Sequence, residues 1–298
     1  MLLALCSLLL AQCSAVEAQQ QVKIARVGFL TGSPLSSQWR RNEAFRQGLR
    51  DVGYVDGKNV VIEWRSYEGQ RDRQRALVAE LVRSNVDIIV AVGSGDIRAA
   101  KEATATIPIV MLVGGDPVAS GFVASLARPG GNVTGLATLR PELSGKRLEL
   151  LKEVVPRLSR VAVFASPLSE DHSQMRTELE LAAGSFGVTL QYFNVQNAGD
   201  VEPAFRAAAK ERADAIFFRV PGPQASSQRP QIVSLAQKTR IPAIYEGPDY
   251  VEAGGHMSYG ISVTASARRA AVYVDKILKG AKPAEPRYES VAAQVQVD

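Results

Sequence analysis

Short apolar runs alternate with longer mixed segments from Lys23 onward. The run VDIIVAV at residues 86–92 is interpreted as an unbroken apolar run, which is typical of a parallel strand that is covered on both faces. Similar runs predict strands at residues 23–30, 59–66, 107–113, 133–138, 160–165, 189–195, 214–220 and 241–247. The segments between them have the hydrophobic spacing of helices. Strands alternating with helices at roughly thirty-residue spacing predict right-handed βαβ units, parallel sheets and the α/β fold class.

The first helix is predicted over residues 36–54, and the series of elements restarts near residue 140. Trp39, Phe45 and Leu49 are interpreted as the buried face of this helix, and Gly53 as its stop. The restart repeats an earlier pattern, because SNVDIIVAVGS resembles ERADAIFFRVPG and TIPIVML resembles RIPAIYE. We therefore predict two similar α/β domains. Between two strands of the first domain, residues 116–135 are rich in glycine and predict a loop, a short helix and a loop.

The N-terminus is predicted to be a signal peptide over residues 1–18. Leu2–Ala11 has the length and apolar character of the central region of a secretory signal, and Val16-Glu17-Ala18 fits a cleavage site. A lipid anchor on Cys13 is an alternative, although Gln12 stands where a small residue is expected. A buried N-terminal helix is a third interpretation. No later run approaches the length of a membrane span.

Composition and charge exclude several classes of function. The net charge of +5 is mild and the basic residues form no stripe with interleaved aromatics, so we expect no nucleic-acid partner. Cys6 and Cys13 are the only cysteines, and His172 and His256 the only histidines, which leaves little for a metal site or a hydrolase. No GxGxxG, P-loop, HExxH or GxSxG motif occurs. We expect no catalytic residues, no metal and no cofactor.

Ligands of open parallel sheets bind beyond the carboxyl ends of the strands. The loops predicted there offer small hydroxyls, glycines, a few charges and free N–H groups of helix N-termini. Each residue also has a purely structural interpretation: Asp116 as a helix cap, Ser94 as a cap, Thr31 and Ser33 as turn residues, Arg219 and His172 as surface residues. The candidate ligand-binding residues are Thr31, Ser33, Ser94, Gly95, Asp116, Thr138, Ser166, His172, Arg219, Tyr245 and Glu246.

Several long motifs resemble a family of ABC-transporter substrate-binding proteins whose characterised members bind tryptophan and related aromatic amino acids. They are FRQGLRDVGYVDGKNVVIEWR, DPVASGFVASLARPGGNVTGL, PELSGKRLELLKEVVP, EAGGHMSYG and RRAAVYVDKILKGAKPAE. The resemblance runs from about Lys23 to Pro286. It implies a type I periplasmic binding protein fold, in which two Rossmann-like domains are joined by a hinge and close on a ligand. It places one lobe at residues 22–138 with 256–280, the other at 139–255 with 281–298, and the hinge at 138–141.

The chain departs from this family at two positions that matter for the ligand. Ala137-Thr138 stand where amino-acid-binding members have Ser-Asp, and Pro221-Gly222 stand where they have Asp-Asn. Those carboxylates would pair with an α-ammonium, so their absence argues against a free amino acid, and Arg219 would favour an anion. The tail RYESVAAQVQVD also departs from the family.

The resemblance implies an exported, periplasmic binding protein that supplies a small organic ligand, such as an aromatic or carboxylate compound, to the permease and ATPase of an importer. We expect a monomer. A sensory module that reports ligand occupancy to a receptor is the alternative, since the same fold serves it. An enzyme on this fold is a third hypothesis, which the poor supply of His, Cys and clustered carboxylates opposes.

Overall fold

The computed structural model describes residues 24–137, 143–168, 172–220, 223–284, 289–290 and 293–297. The predicted signal peptide, Cys13 and Thr138 lie outside these residues. The apolar runs of the first half form strands, and the segments between them form helices: β1 (Ala25–Thr31), α1 (Trp39–Asp51), β2 (Val60–Ser66), α2 (Arg71–Arg83), β3 (Ile88–Val92), α3 (Ser94–Ala103), β4 (Ile109–Val113) and β5 (Val133–Ala137). A 3-10 helix over Ser36–Gln38 leads into α1.

The same alternation continues through the second half of the chain. Its elements are α4 (Leu143–Val154), β6 (Arg160–Ala165), α5 (His172–Phe186), β7 (Thr189–Asn194), α6 (Ala198–Lys210), β8 (Ala215–Arg219), α7 (Pro223–Ser227), α8 (Arg229–Thr239), β9 (Ala243–Tyr245), α9 (Pro248–Val251), β10 (Met257–Gly260), α10 (Val263–Leu278), β11 (Glu289–Ser290) and β12 (Gln294–Val297). Among the described helices, none combines the length and apolar composition that crossing a membrane requires.

The first sheet has the strand order β11-β5-β4-β3-β1-β2. Its strands pair in parallel, and the register sets Val27 opposite both Ile62 and Ile88. All residues of β4 are buried, as expected where helices cover both faces. One face carries a core around Phe29, and the other a core around Leu30. The alternation of side chains along β1 separates these two cores.

The second sheet has the order β12-β10-β9-β8-β6-β7. Its strands are parallel except β12, which runs antiparallel to β10 with Val295 opposite Tyr259. Phe164 lies at the centre of an aromatic cluster, with ring centroids 5.0 Å from Phe205 and 6.1 Å from Phe218. The prediction of two α/β domains with parallel sheets is confirmed.

The chain passes between the two sheets after β5, after β10 and after β11. We call the first sheet with α1–α3 and α10 the first lobe, and the second sheet with α4–α9 the second lobe. The lobe boundaries expected from the sequence differ at two places. Residues 257–260 pair with β9 in the second sheet rather than extending the first lobe, and residues 289–290 pair with β5 in the first. Backbone pairing determines the sheet to which each of these two segments belongs. Apolar patterning does not reveal such pairing for segments this short.

Helix α10 completes the core of the first lobe by packing on α1. Gly48 makes this packing possible, because a Cβ there would overlap the backbone oxygen of Arg268 and press on Ala271. Ser262 caps α10 by accepting a hydrogen bond from the backbone N–H of Ala265 at 3.1 Å. The residues of α10 that enter this core include Ala267 and Tyr273.

The interpretation of Trp39 as a core residue is wrong. Its side chain is 63% exposed, and the buried face of α1 is formed by Arg41, Asn42, Phe45, Gly48 and Leu49. Trp39 and Phe45 are six positions apart, which places them about 240° apart on a helix with 3.6 residues per turn. The indole therefore faces away from the core.

The glycine-rich stretch at residues 116–135 forms turns rather than the predicted short helix. Its turns are closed by backbone hydrogen bonds from Ser120 to Asp116 (3.0 Å) and from Phe122 to Pro117 (2.8 Å). At its end Gly135 has φ +129°, and a Cβ there would overlap the backbone of Met111 in β4. Glycine at this position lets β5 lie beside β4.

Candidate ligand-binding site

The carboxyl end of β1 brings two predicted hydroxyl residues to the interior edge of the first lobe. Thr31 and Ser33 are both buried. The Thr31 hydroxyl accepts hydrogen bonds from the backbone N–H of Ser33 at 3.3 Å and from Nη1 of Arg41 at 3.2 Å. Thr31 therefore holds an arginine that the sequence did not single out.

Arg41, in the first turn of α1, is a buried cation that is only 4% exposed. Its Nε and Nη2 donate to Oδ1 of Asn42 at 3.2 and 3.0 Å, and its guanidinium lies 5.4 Å from the ring centroid of Phe29. Burial lowers the pKa of Arg41 to about 10, and the charges of Asp96 and Asp249 partly offset this effect. No ion pair within 4.0 Å joins Arg41 to a carboxylate of the described residues.

Asp96 lies one residue beyond the predicted pair Ser94 and Gly95, at the start of α3 after β3. Ser94 is half-buried and Gly95 exposed, whereas Asp96 is 1% exposed. Oδ1 of Asp96 accepts a hydrogen bond from Nε2 of Gln74 at 2.5 Å. Burial raises the pKa of Asp96 to about 7, with hydrogen bonds from Gln74 and Tyr67 opposing the shift. An acidic residue in the first turn after a buried strand was the signal that could have found it.

Asp116 uses its side chain within its own turn. Oδ1 accepts hydrogen bonds from the backbone N–H groups of Val118 and Ala119 at 2.8 and 3.1 Å. This is the capping role that the sequence offered as the alternative to ligand contact.

Three more predicted residues follow the strands of the second lobe. Ser166, directly after β6, and His172, the first residue of α5, are half-buried. Tyr245 ends β9 fully buried, with its ring stacked on Tyr250 at 4.7 Å between centroids and 3° between planes. Burial raises the pKa of Tyr245 above its usual value, so its phenol stays protonated.

Arg219 and Glu246, the remaining predicted pair, engage each other. Nη1 of Arg219 lies 3.1 Å from Oε2 of Glu246, and Arg219 is 3% exposed. The sequence predicted that Arg219 would favour an anionic ligand. An anionic ligand at Arg219 would therefore compete with the carboxylate of Glu246.

A cavity of about 210 Å³ lies between the lobes. Its first wall is built by the residues around the start of α1, its second by the starts of α8 and α9, and Thr264 of α10 closes one side. The lining residues are Ser37, Gln38, Trp39, Arg40, Arg41, Arg229, Pro230, Asp249, Glu252, Ala253 and Thr264. Of the predicted residues that the structure describes, none is among the lining residues of this cavity, and Thr31 contacts one of them, Arg41.

The second wall carries an arginine and an acid in contact. Nη2 of Arg229 donates to Oδ2 of Asp249 at 3.1 Å, and the guanidinium of Arg229 lies 5.2 Å from the ring centroid of Tyr250. Burial raises the pKa of Asp249, while the charges of Arg229, Arg40 and Arg41 oppose that shift. Arg229 follows the short helix α7, and Asp249 lies on the short helix α9. Both residues were missed because neither of these short helices has a clear apolar periodicity.

The cavity therefore presents positive and negative groups from both lobes. Arg41 stands in the first wall, and Asp249 and Arg229 stand in the second. An ion pair between Arg40 and Glu252 joins the lobes at the same place. Its volume is below the range of about 300–1,000 Å³ that drug-sized ligands occupy. The arrangement suits a small molecule that carries opposite charges.

Two Rossmann-like lobes that enclose a charged cleft define the class of type I periplasmic binding proteins. The chain belongs to the family of ABC transporter substrate binding proteins, whose model matches residues 34–296. It is a binding protein rather than an enzyme, and the family's function is to bind the small molecule that an ABC transporter carries. Binding a small molecule for an ABC transporter is the first of the three functions that we predicted from the sequence.

Three similar proteins illustrate the relationship. A tyrosine-binding protein of Clostridioides difficile (strain R20291) is 27% identical over 81% of this chain and 69% of its own length. An ABC domain from Streptococcus pneumonia, solved in complex with L-Trp, is 25% identical, with a TM-score of 0.81 and 92% of each chain covered. A conserved domain protein from Vibrio cholerae is 26% identical, with a TM-score of 0.82 and 92% of each chain covered.

Proposed function

We propose that this protein binds a small zwitterion, of the kind that an α-amino acid represents, in the cavity between its lobes. The observation that carries the proposal is Arg41, a buried guanidinium that lines the cavity and has no carboxylate of the described residues within ion-pair distance. Burying a charge without a partner is costly, and the cost is recovered when a ligand carboxylate pairs with it. The planar guanidinium fork suits a carboxylate in particular.

Asp249 supplies the opposite charge on the other wall. It lines the same cavity, and its charge acts on Arg41 across the cleft. An ammonium group placed between the lobes would lie against Asp249 while the carboxylate of the same ligand reaches Arg41. The sequence argued against an ammonium because two family positions lack carboxylates. Asp249 comes to the cavity from a different element, helix α9, so that argument does not exclude an amino acid.

A ligand bound in this way couples binding to closure. Its carboxylate contacts the first lobe and its ammonium the second, so both contacts are complete only when the lobes are close together. A ligand shifts a conformational equilibrium by the difference between its interactions with the two states. A zwitterion that bridges Arg41 and Asp249 therefore favours the closed arrangement.

The relatives support an amino acid as ligand. The similar proteins are named for binding tyrosine and for a complex with L-Trp. A predicted residue at a strand end fits this proposal where it contacts a residue of the cavity wall. Thr31, for example, fixes the guanidinium of Arg41 through its hydroxyl.

We infer that the protein works outside the cytoplasmic membrane, where substrate-binding proteins of ABC importers act. The periplasm is the compartment that the predicted signal peptide at residues 1–18 indicates. In this role it delivers its ligand to a membrane permease that an ATPase drives. The family membership supports both partners.

Isothermal titration calorimetry of the purified protein tests the proposal. The ligands are L-tyrosine, L-tryptophan, L-leucine, tyramine and 3-(4-hydroxyphenyl)propionate; tyramine lacks the carboxylate, and the propionate lacks the ammonium. We expect an amino acid to bind and each truncated analogue of tyrosine to bind about 10- to 100-fold more weakly, which is the usual value of a charged hydrogen bond.

The variant Arg41→Lys is expected to lose about tenfold in affinity, because lysine keeps the charge and loses the fork. Arg46→Lys is the matched control on the same helix, since Arg46 lies near Asp56 and outside the cavity. Tyramine binding as tightly as tyrosine would remove Arg41 from the proposed role. Binding of the propionate as tightly as tyrosine would show that Asp249 does not hold the ammonium group of the ligand.

A further inference from the structure

Trp39 occupies an unusual position for a large aromatic residue. It is the first residue of α1, it lines the cavity between the lobes, and its side chain is 63% exposed. The guanidinium of Arg40 lies 5.6 Å from its ring centroid, and Arg40 in turn pairs with Glu252 of the second lobe. The indole is thus fixed at the cleft beside an ion pair that joins the two lobes.

The rest of the cavity is polar. Apart from Trp39, its lining residues without a polar side chain are Pro230 and Ala253, which belong to the second lobe. Any apolar portion of a bound ligand would therefore meet the indole on the first lobe and these two small surfaces on the second. An indole ring offers a broad flat face, which favours stacked or edge-to-face contact with another ring over contact with a branched alkyl chain.

The positions of Arg41 and Trp39 on the same helix determine which end of the ligand reaches the indole. Trp39 and Arg41 are separated by one residue at the start of the same helix. A second cavity of about 410 Å³ adjoins the first, and the lining residues that the two share are Trp39, Arg40, Glu252 and Thr264. Trp39 therefore borders the space that the side chain of a ligand whose carboxylate pairs with Arg41 would enter in either cavity.

We propose that Trp39 is a specificity-determining residue that selects zwitterions with an aromatic side chain over those with an aliphatic one. This inference rests on the proposed function, since it assigns the side-chain contact of the ligand that Arg41 and Asp249 hold. The same exposed indole that contributes nothing to the core of the first lobe contributes contact area to the ligand. Closure then brings Pro230 of the second lobe toward the other side of the ligand ring.

Calorimetry with three variants tests the inference. Trp39→Phe retains a ring, Trp39→Leu retains an apolar side chain without a ring, and Trp64→Phe alters the other tryptophan, which packs on Phe29 in the core of the first lobe. For Trp39→Leu we expect at least a tenfold loss of affinity for L-tryptophan or L-tyrosine and less than a threefold change for L-leucine. Trp39→Phe and Trp64→Phe should stay within about threefold of the wild type for the aromatic ligands.

Fluorescence supplies a second measurement. In Trp64→Phe the indole of Trp39 is the sole tryptophan of the chain. Its emission should shift to shorter wavelength when L-phenylalanine or L-leucine saturates the protein, with the larger shift for phenylalanine.

The outcomes separate the inference from the proposed function. If the wild-type protein binds none of these amino acids, the proposed function fails. If it binds them and Trp39→Leu weakens aromatic and aliphatic ligands equally, or leaves both unchanged, the inference is overturned while the proposed function stands. An emission spectrum that does not change at saturating phenylalanine likewise overturns the inference.

Discussion

Arg40 of the first lobe and Glu252 of the second form an ion pair across the cleft. Both side chains line the cavity between the lobes, and both remain more than a third exposed. An exposed pair contributes little to folding stability, with about 0–1 kcal/mol as the usual value. Because this pair joins the two lobes, even a small contribution would act directly on a balance between open and closed arrangements.

Reversal of one charge in this pair should favour the open arrangement. Arg40→Glu or Glu252→Arg places like charges against each other, so we expect a larger radius of gyration in small-angle X-ray scattering. The affinity for the ligand should fall about two- to fivefold. The double variant Arg40→Glu/Glu252→Arg restores opposite charges and should restore both quantities. A double variant that remains as open as the singles would show that the pair does not hold the lobes together.

Asp96 should make stability depend on pH. Its pKa is about 7 in the folded protein, against an ordinary value of 3.8. Between these two pH values the folded state therefore keeps a proton on Asp96 that the unfolded state releases. The contribution of Asp96 to the free energy of unfolding is fully present below about pH 4 and is lost as the pH rises through 7. Relative to the wild type, Asp96→Asn should gain stability as the pH rises from 4 to 8, on the order of 4 kcal/mol in urea unfolding. Asp72→Asn, an exposed change on α2, is the control and should show no such trend.

Arg219 should matter for stability more than for ligand affinity. Arg219→Ala removes the cation that neutralises Glu246, and breaking a buried pair in this way costs about 3–5 kcal/mol. The double variant Arg219→Leu/Glu246→Gln should lose less unfolding free energy than the sum of the losses of Arg219→Leu and Glu246→Gln. Chemical denaturation of the wild type, these two single variants and the double variant gives the coupling energy of the pair. A loss of affinity at Arg219→Ala that exceeds the loss at Arg41→Lys would contradict the assignment of Arg41 as the carboxylate-binding residue.

Two helical glycines should respond in opposite directions to alanine. At Gly48 a Cβ meets the backbone of α10, so Gly48→Ala should destabilise the first lobe by about 1–3 kcal/mol through overpacking. At Gly184 in α5 nothing lies within 4 Å of such an atom, so Gly184→Ala should stabilise the protein by up to about 1 kcal/mol through helix propensity. Thermal unfolding distinguishes the two. Equal effects would mean that α1 and α10 do not pack as described.

The fold could be predicted from the sequence more completely than the site. Buried strands such as β3 and β4 are apolar throughout, and that signal is local. The cavity walls come from segments that are distant in sequence and mostly polar: Ser37–Arg41, residues 229–230, Asp249, residues 252–253 and Thr264. Apolar periodicity says nothing about such segments. Their meeting depends on how the two lobes face each other, a relationship that no single stretch of sequence contains.

The prediction for Arg219 illustrates the same difficulty. Its position at the end of β8 was evident, but its partner Glu246 lies after β9, on the neighbouring strand. Both residues were predicted as ligand contacts, each by its own loop. Only the pairing of β8 with β9 shows that they occupy each other. The charge available to a ligand is a property of the neighbourhood, and a residue type alone does not determine it.

The place of α10 in the first lobe has a consequence for how the chain acquires its structure. Residues 261–278 supply part of the core that covers α1 and β4, although the rest of that core comes from the first 140 residues. During synthesis the apolar face of the first lobe stays uncovered until almost the whole chain is made, including all of the second lobe except its edge strand β12. Contacts between residues so distant in sequence form slowly. We therefore expect the second lobe to mature first, while the N-terminal half stays incompletely folded and accessible to chaperones until the last helix arrives.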